Sequence, residues 1–345
     1  MPMSVRFDET LTEGKGYLVT SEGRTGERPS VVGIGALNVD VVVDAAAARR
    51  SGVRPPGGAG RDAESSVDSA EMARLLAAVA DMPRQVRLGG SAYNTVVRLA
   101  RERPDLALGF VGVAGEPPFG ARGHDSALRE LRVDTVRVRR TPETAGVCVA
   151  IEDGDARDLR VNPGANLLMA TYLREAFEEV VAYVARARVV HVTSFLDSST
   201  PKALLALLEE VRRRSPRTAI CLDPGDEWCA RPSADVAALL ALADYVVVNA
   251  REFAGVSDLV RGTAVVKHPD GVDIWHGGTH RAHIAHTRLP ASEIRNPTGA
   301  GDAFAAGLLA GLGVSDAGAA ETALEQGVHL GLRMARAHLL GRHTV

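Results

Sequence analysis

Lysine is nearly absent from this chain of 345 residues: Lys15, Lys202 and Lys267 are the only three among 40 basic residues, against 43 acidic ones. Arginine carries almost all the positive charge, and a net charge of -3 makes no electrostatic case for nucleic acid or an anionic membrane as a partner. Cysteine is scarce too. Cys148, Cys221 and Cys229 form no CxxC pair and, being three, cannot all pair with one another, a usage that suits a reducing cytoplasm. Runs of about 18 apolar residues are missing, and the first 29 residues have no apolar core of a secretory signal. The expectation is a cytoplasmic protein without a membrane partner, in which residues 1–29 form a polar extension and residues 30–345 one domain. No internal repeat occurs, and the only low-complexity tract is the alanine-rich "DAAAARR".

What the chain does have is a hydrophobic period that switches between runs of strand length and helical spacing, the pattern of an alternating β/α domain. "SVVGIGALNVDVVVD" reads as a buried strand that turns and continues as a second extended segment. A Pro/Gly-rich loop, "GVRPPGGAGRD", leads to a helix with Asp68 and Glu71 in a capping-box arrangement and Met72, Leu75, Leu76 and Val79 on one face. Leu173, Phe177, Val180, Val181 and Val184 share another helical face, and a further helix opens with Thr200 as N-cap and Pro201 in its first turn. "RVVHVTS", "TAICLD", "ADYVVVN" and "GTAVVK" are strands apolar enough to be buried on both faces. "AGVCVAIEDGDARDLRVNPG" and "VDIWHGGTHRAHIAH" read as hairpins, the first around a DG turn and the second around Gly277 and Gly278. The product is a mostly parallel sheet covered by helices, with a small β lid drawn from roughly 40–86 and 134–163.

The stretch "NPTGAGDAFAAGLLAGL" carries the chemistry. Gly299, Ala300 and Gly301 lack bulky side chains, so their amides can converge on an anion, and a helix starting there adds the positive end of its dipole. Asp302 would repel that anion unless its charge has a task, and phosphoryl transfer supplies one: a carboxylate positions the attacking hydroxyl and takes its proton while the amides hold the phosphoryl oxygens. A Gly-rich turn with an acidic first helical turn is the plainer structural reading of the same residues.

Taken with four other segments in the same order, the motif resembles the ribokinase-like (PfkB) family of carbohydrate and nucleoside kinases. "GIGALNVD" resembles the family's first strand and turn, "GGSAYNTVVRLA" its glycine pair and helix, "NAREF" its N-x-x-E element and "ALEQGVHLGLRMA" its C-terminal helix near the nucleotide. The resemblance implies a three-layer α/β/α sandwich and transfer of the ATP γ-phosphoryl group to a hydroxyl of a small unphosphorylated sugar or nucleoside by a monomer or homodimer. It makes Asp302 the catalytic base and Gly299, Ala300 and Gly301 the anion hole. Asp40, Gly89, Gly90 and Asn94 line the acceptor pocket, and Phe195, in "TSFLDSS", is offered to a base. Asn249 and Glu252 organise Mg2+ through water, and Lys267, Gly271 and Thr298 lie on the nucleotide. Asp223 and Asp226 are further candidates at the same sheet edge. The long insertion before "GGSAYN" resembles the adenosine-kinase-like branch.

Two departures from the family pattern stand out. In "KHPDG", His268 and Pro269 intervene before Gly271 where a nucleotide-lining glycine is expected, which leaves donor preference open. Asn296 and Pro297 occupy positions where many members carry an acidic residue and a threonine associated with a monovalent cation, which leaves potassium dependence open. The competing reading is a catalytically silent sugar- or nucleoside-binding protein on the same fold. Among the remaining features, Arg137, Arg139 and Arg140 read as an exposed charged edge, Tyr93 as a packing residue, and His280 and His283 as pointing to opposite faces of a strand, which argues against a metal site.

Overall fold

The computed structural model describes residues 28–50, 52–53, 63–153, 156–314 and 320–342. The polar extension expected over 1–29 lies outside the described residues but for its last two, as do most of the Pro/Gly-rich loop and the DG turn at Gly154. In chain order the elements are β1 (Val31–Ile34), β2 (Asn38–Asp44), α1 (Ala45–Arg50), β3 (Ala63–Ser66), α2 (Ser69–Ala78), β4 (Arg84–Gly89), α3 (Ser91–Glu102), β5 (Leu108–Glu116), α4 (His124–Glu130), β6 (Asp134–Thr144), β7 (Gly146–Asp153) and β8 (Ala156–Asn162). They continue with α5 (Met169–Glu175), α6 (Phe177–Val184), β9 (Val189–Thr193), α7 (Thr200–Arg214), β10 (Ala219–Asp223), α8 (Gly225–Ala230), α9 (Ala234–Leu242), β11 (Tyr245–Asn249), α10 (Ala250–Val256), β12 (Thr263–His268), β13 (Gly271–His276), β14 (Thr279–Ala285), α11 (Ala300–Leu312) and α12 (Ala320–Leu339).

Side chains of a strand alternate between the two faces of its sheet, and here both faces are apolar. Val32, Ile34, Val190, Val192, Ile220, Leu222, Val246 and Val248 pack under the helices α5, α6, α7 and α9. Val31, Val189, Cys221, Val247 and Val265 point the other way, toward α3, α11 and α12. The strand order β14-β13-β12-β11-β10-β9-β1-β5-β6 makes one sheet between these two layers. It is parallel from β12 to β6 and ends in the antiparallel strands β13 and β14. The fold is the expected ribokinase-like α/β/α sandwich.

The second sheet has the order β3-β8-β7-β2-β4. Val39, Val41, Val43, Val147, Val149 and Ile151 bury one of its faces against α1 and α2. The other face carries Asn38 and Asp40. Strand β6 pairs with β5 at the edge of the large sheet, so of the stretch 134–163 only the part from Gly146 onward joins the small sheet. Of the three arginines expected to form an exposed edge there, only Arg140 is exposed, pairing with Asp125; Arg137 and Arg139 are half-buried, Arg139 lying over the Tyr172 ring and pairing with Glu175.

Three local expectations are corrected. The single helix read through Leu173 to Val184 breaks at Ala176 (φ -107°, ψ 30°) into α5 and α6, although both halves keep their apolar residues in one core. Thr200 does not cap α7; the Asp197 carboxylate does so by accepting from the amides of Ser199 and Thr200 at 2.9 and 2.8 Å. His280 and His283 do not diverge. A β-bulge between Ile274 and Trp275 absorbs one residue of β14, so both imidazoles reach Oδ1 of Asp273, with His268 against its other oxygen. Burial works to raise the Asp273 carboxyl, but the contacts from His283, His280 and His268 outweigh it and hold it below the ordinary carboxylate value. Among the described residues no cluster of three or more His, Cys, Asp or Glu is placed to hold a metal directly.

Candidate active site

Three parallel strands end side by side in polar residues: β10 in Asp223, β11 in Asn249, and β12 in Lys267 and His268. This is the edge at which open α/β sheets bind ligands. Helix α11 begins opposite it. Its N-cap is Gly299 in the left-handed region (φ 86°), with no side-chain cap, so the first amides of the helix point outward unclaimed by a protein side chain. A Cβ on Gly301 would lie 3.6 Å from Lys267 Nζ, which places that ammonium beside the turn, 3.8 Å from Asp223 Oδ2.

Asp302 sits in the first turn of α11, held from the neighbouring helix α3. Ser91 Oγ donates to its Oδ1 at 2.5 Å and Asn94 Nδ2 to its Oδ2 at 3.0 Å, while Thr95 Oγ1 donates to its backbone oxygen at 3.4 Å. Burial raises the Asp302 carboxyl above the ordinary value; the bonds from Ser91 and Asn94 and the charge of Arg98 work against that, and Asp223 works with it. A carboxylate so fixed and so poised can accept a proton from a hydroxyl placed against it.

Asp40 faces Asp302 from the other sheet. It stands within β2, the second extended segment, paired across from Arg87 of β4. Burial pushes its carboxyl up to about 6, partly offset by Arg87 and reinforced by Asp302. Gly89 leaves room for it: a Cβ there would meet Asp40 Oδ2 at 2.6 Å. Gly90 (φ 105°) brings the chain against Ala36, whose oxygen a Cβ would strike at 2.1 Å, and so aims α3 at Asp302. Deeper in, Asn166 Oδ1 accepts from Leu37 N at 2.9 Å and Asn166 Nδ2 donates to Asn38 Oδ1 at 2.8 Å.

Other expected residues have clear structural settings. Asn249 and Glu252 form a reciprocal capping box on α10, the Asn249 side chain accepting from Glu252 N at 2.9 Å and Glu252 Oε2 from Asn249 N at 2.8 Å. Burial raises the Glu252 carboxyl above its ordinary value. Asp226 is drawn to the surface by Arg251 at 2.7 Å. Gly271 starts β13 where a Cβ would meet Ile284 O at 2.6 Å and the His283 ring at 2.7 Å, so packing of β14 already requires a glycine there. The oxygen of Thr298 contacts His338 Nε2 at 2.7 Å. Phe195, by contrast, is 3% exposed inside the core, with its backbone oxygen accepting from Trp228 Nε1, and Tyr93 is 6% exposed with its ring edge-on to His124. Neither ring has an open face.

Sequence reasoning passed over Ser91, Arg98, Arg87, Asn38 and Asn166. A signal for the first two was present: Ser91, Asn94, Thr95 and Arg98 recur at i, i+3, i+4 and i+7, a polar stripe beside the buried face of Ala92, Tyr93, Val96, Leu99 and Ala100.

The model of the pfkB family carbohydrate kinases matches residues 79–338, which include the α3 stripe, the strand ends and the whole of α11. The chain belongs to that family of kinases. The kinase is 30% identical over 248 residues to a fructokinase of Klebsiella pneumoniae, covering 65% of this chain and 76% of that protein. A fructokinase of Salmonella typhimurium is 29% identical over 264 residues, 69% of this chain and 80% of its own length. In fold, the kinase is similar to adenosine kinase of Schistosoma mansoni in complex with 2-fluoroadenosine (TM-score 0.72, 14% identity, 91% of this chain and 96% of that one). It is equally similar to adenosine kinase of Trypanosoma brucei brucei (TM-score 0.72, 17% identity, 91% and 100%). Among its described residues no helix is long and apolar enough to cross a membrane.

Proposed function

We propose that this kinase moves the γ-phosphoryl group of ATP to a hydroxyl of an unphosphorylated sugar, with Asp302 as general base. The observation that carries the reading is the setting of the Asp302 carboxylate, gripped by Ser91 and Asn94 beside the uncapped start of α11 and facing Asp40 across the cleft. Asp40 accepts hydrogen bonds from sugar hydroxyls and orients one of them toward Asp302. As that oxygen forms its bond to the γ-phosphorus, its proton passes to Asp302, the bond to the β,γ-bridging oxygen breaks, and ADP departs with the electron pair. The amides of Gly299, Ala300 and Gly301 hold the non-bridging oxygens, with Lys267 alongside.

Magnesium suits the residues present. Glu252 Oε2 is engaged by Asn249 N, which leaves one carboxylate oxygen for a water of the ion, a fit for a cation that keeps most of its waters. Glu252, with Asp223 nearby, would hold it, and it would screen the phosphate charges. The small sheet, bearing Asp40, serves as the lid.

A sugar is favoured over a nucleoside because both aromatic candidates for base stacking are buried, and because the chain is similar in sequence to fructokinases, whereas its likeness to the adenosine kinases is one of fold. ADP formation from ATP across fructose, other neutral sugars and adenosine tests this. Turnover of fructose or another free sugar is expected; faster turnover of adenosine than of every sugar, or no transfer from ATP or GTP to any acceptor, would overturn it.

A further inference from the structure

Arg98 has no role in the scheme above, yet its position is hard to explain without a ligand. It is the last member of the polar stripe on α3, half-buried, with its guanidinium against the turn that opens α11: a Cβ on Gly299 would lie 3.3 Å from Arg98 Nη2. Among the described residues it has no hydrogen-bond or ion-pair partner, and the charges acting on it are the longer-range pull of Asp302 and the push of Arg101. Asp302 does not take it up: its oxygens accept from Ser91 and Asn94, and among the described residues no ion pair joins it to Arg98. The His338 ring lies 3.4 Å from the same Gly299 position, and Lys267 Nζ stands at the next glycine of the turn, 3.6 Å from a Cβ on Gly301.

Two cations therefore stand at the positive end of a helix. Like charges at a helix N-terminus repel one another and the dipole; Asp223 offsets Lys267 and Asp302 pulls on Arg98 from a distance, but neither gives the guanidinium a hydrogen-bond partner, and it cannot lose its proton. An anion with several acceptor oxygens resolves it, and the planar fork of an arginine matches such oxygens in pairs. We propose that Arg98 is a further catalytic residue that contacts the transferring phosphoryl group on the Gly299 side and takes up the charge that develops on its oxygens during transfer. This inference rests on the reading of α11 as the anion hole and assigns to α3 a second task beyond gripping the base.

The test separates the two readings. A non-hydrolysable β,γ-methylene analogue of ATP is titrated calorimetrically, with magnesium, into wild-type protein and into Arg98→Ala, Arg98→Gln and Arg98→Lys, each checked for its folded spectrum; nucleotide binding is thus read without turnover. Loss of the guanidinium is expected to weaken the analogue about tenfold or more, with Lys intermediate and sugar affinity unchanged. In the transfer assay kcat should fall about 10²- to 10³-fold, across the whole pH range, and free guanidinium should restore part of it in Arg98→Ala. An analogue affinity within a factor of two of wild type in the folded Gln and Lys variants would overturn the proposal. So would a kcat defect that disappears at high pH, since Arg98 would then act only through the ionisation of Asp302. If the wild type transfers nothing, the general-base reading fails, while the titration still decides whether Arg98 meets phosphate.

Discussion

Replacing Asp40 by Asn should make the protein more stable and less able to bind its acceptor. In the folded chain the Asp40 carboxyl is pushed from the ordinary 3.8 to about 6, first by burial and then by Asp302. Between those two values the folded protein keeps a proton that the unfolded chain has released, so stability falls as pH rises through this window. The displacement corresponds to about 3 kcal/mol by pH 7, an upper figure because Asp40 and Asp302 are coupled. Asn has nearly the same shape and no charge to lose. Urea unfolding of wild type and Asp40→Asn at pH 4.5 and pH 8, without ligand, should show the variant gaining up to about 3 kcal/mol on wild type at the higher pH and about 1 kcal/mol at the lower. Acceptor binding should move the opposite way: KM for the sugar rises in the variant far more than KM for ATP, and in wild type it rises as pH falls through about 6. A variant less stable than wild type at pH 8, or a stability difference that does not depend on pH, would refute the claim that burial strains this carboxylate.

Asp302→Asn should lower kcat by about 10² to 10⁴ while leaving nucleotide affinity intact, as expected for a general base; wild-type turnover in the variant would remove Asp302 from the mechanism. Because Asp302 is raised by burial, kcat should fall with acid at a pH above the ordinary carboxylate value, and Ser91→Ala, which removes a donor to the ionised form, should move that limb higher still; a limb at or below the ordinary value would contradict the assignment. A phosphosugar such as fructose 6-phosphate should be a poorer acceptor than its neutral parent, since its charge would enter beside Asp40 and Asp302; the reverse order would show that Arg87, on the Asp40 face, binds phosphate. With Pro269 removing an amide from the β12–β13 turn, kcat/KM for ATP and GTP should differ little; a strong ATP preference would show that the base is recognised elsewhere.

The layered fold was legible because period and burial agree: β1, β9, β10, β11 and β12 were readable as short apolar runs, whereas the equally buried β5, diluted by its glycines, was not. The order of the motifs also brought out Asp302, Asp40 and Lys267. What escaped notice were features without a periodic trace. The break at Ala176 leaves the 3.6-residue rhythm on both sides in phase, and the bulge in β14 is one extra residue, Arg281, with no marker of its own. Arg98 was hidden by its neighbours, since a single arginine in "TVVRLA" shows only on a helical projection that it ends a stripe beginning at Ser91. Phe195 was misleading for the opposite reason, since an aromatic residue after a strand has the same appearance whether it faces a ligand or a core. The distinction depends on Trp228 and its bond to the Phe195 oxygen, 33 residues away.

The chain crosses between the two sheets at Gly35–Leu37, Gly90, Ala145 and Pro163, and these crossings are stacked against one another. Gly90 abuts the oxygen of Ala36, Gly146 the side chains of Asn38 and Asn166, and Gly164 the oxygen of Ala145, each with no room for a Cβ. Mechanically this is a seam of four interlocked backbones with one carboxylate mounted on either side, Asp40 on the small sheet and Asp302 beside the large one. Any tilt about the seam changes the span between those two groups before it changes anything within a sheet. A sugar hydrogen-bonded to both would then act as a strut, and its presence would be felt as stiffness at the crossings: slower amide exchange at Gly90 and Ala145, with the strands on either side unaffected.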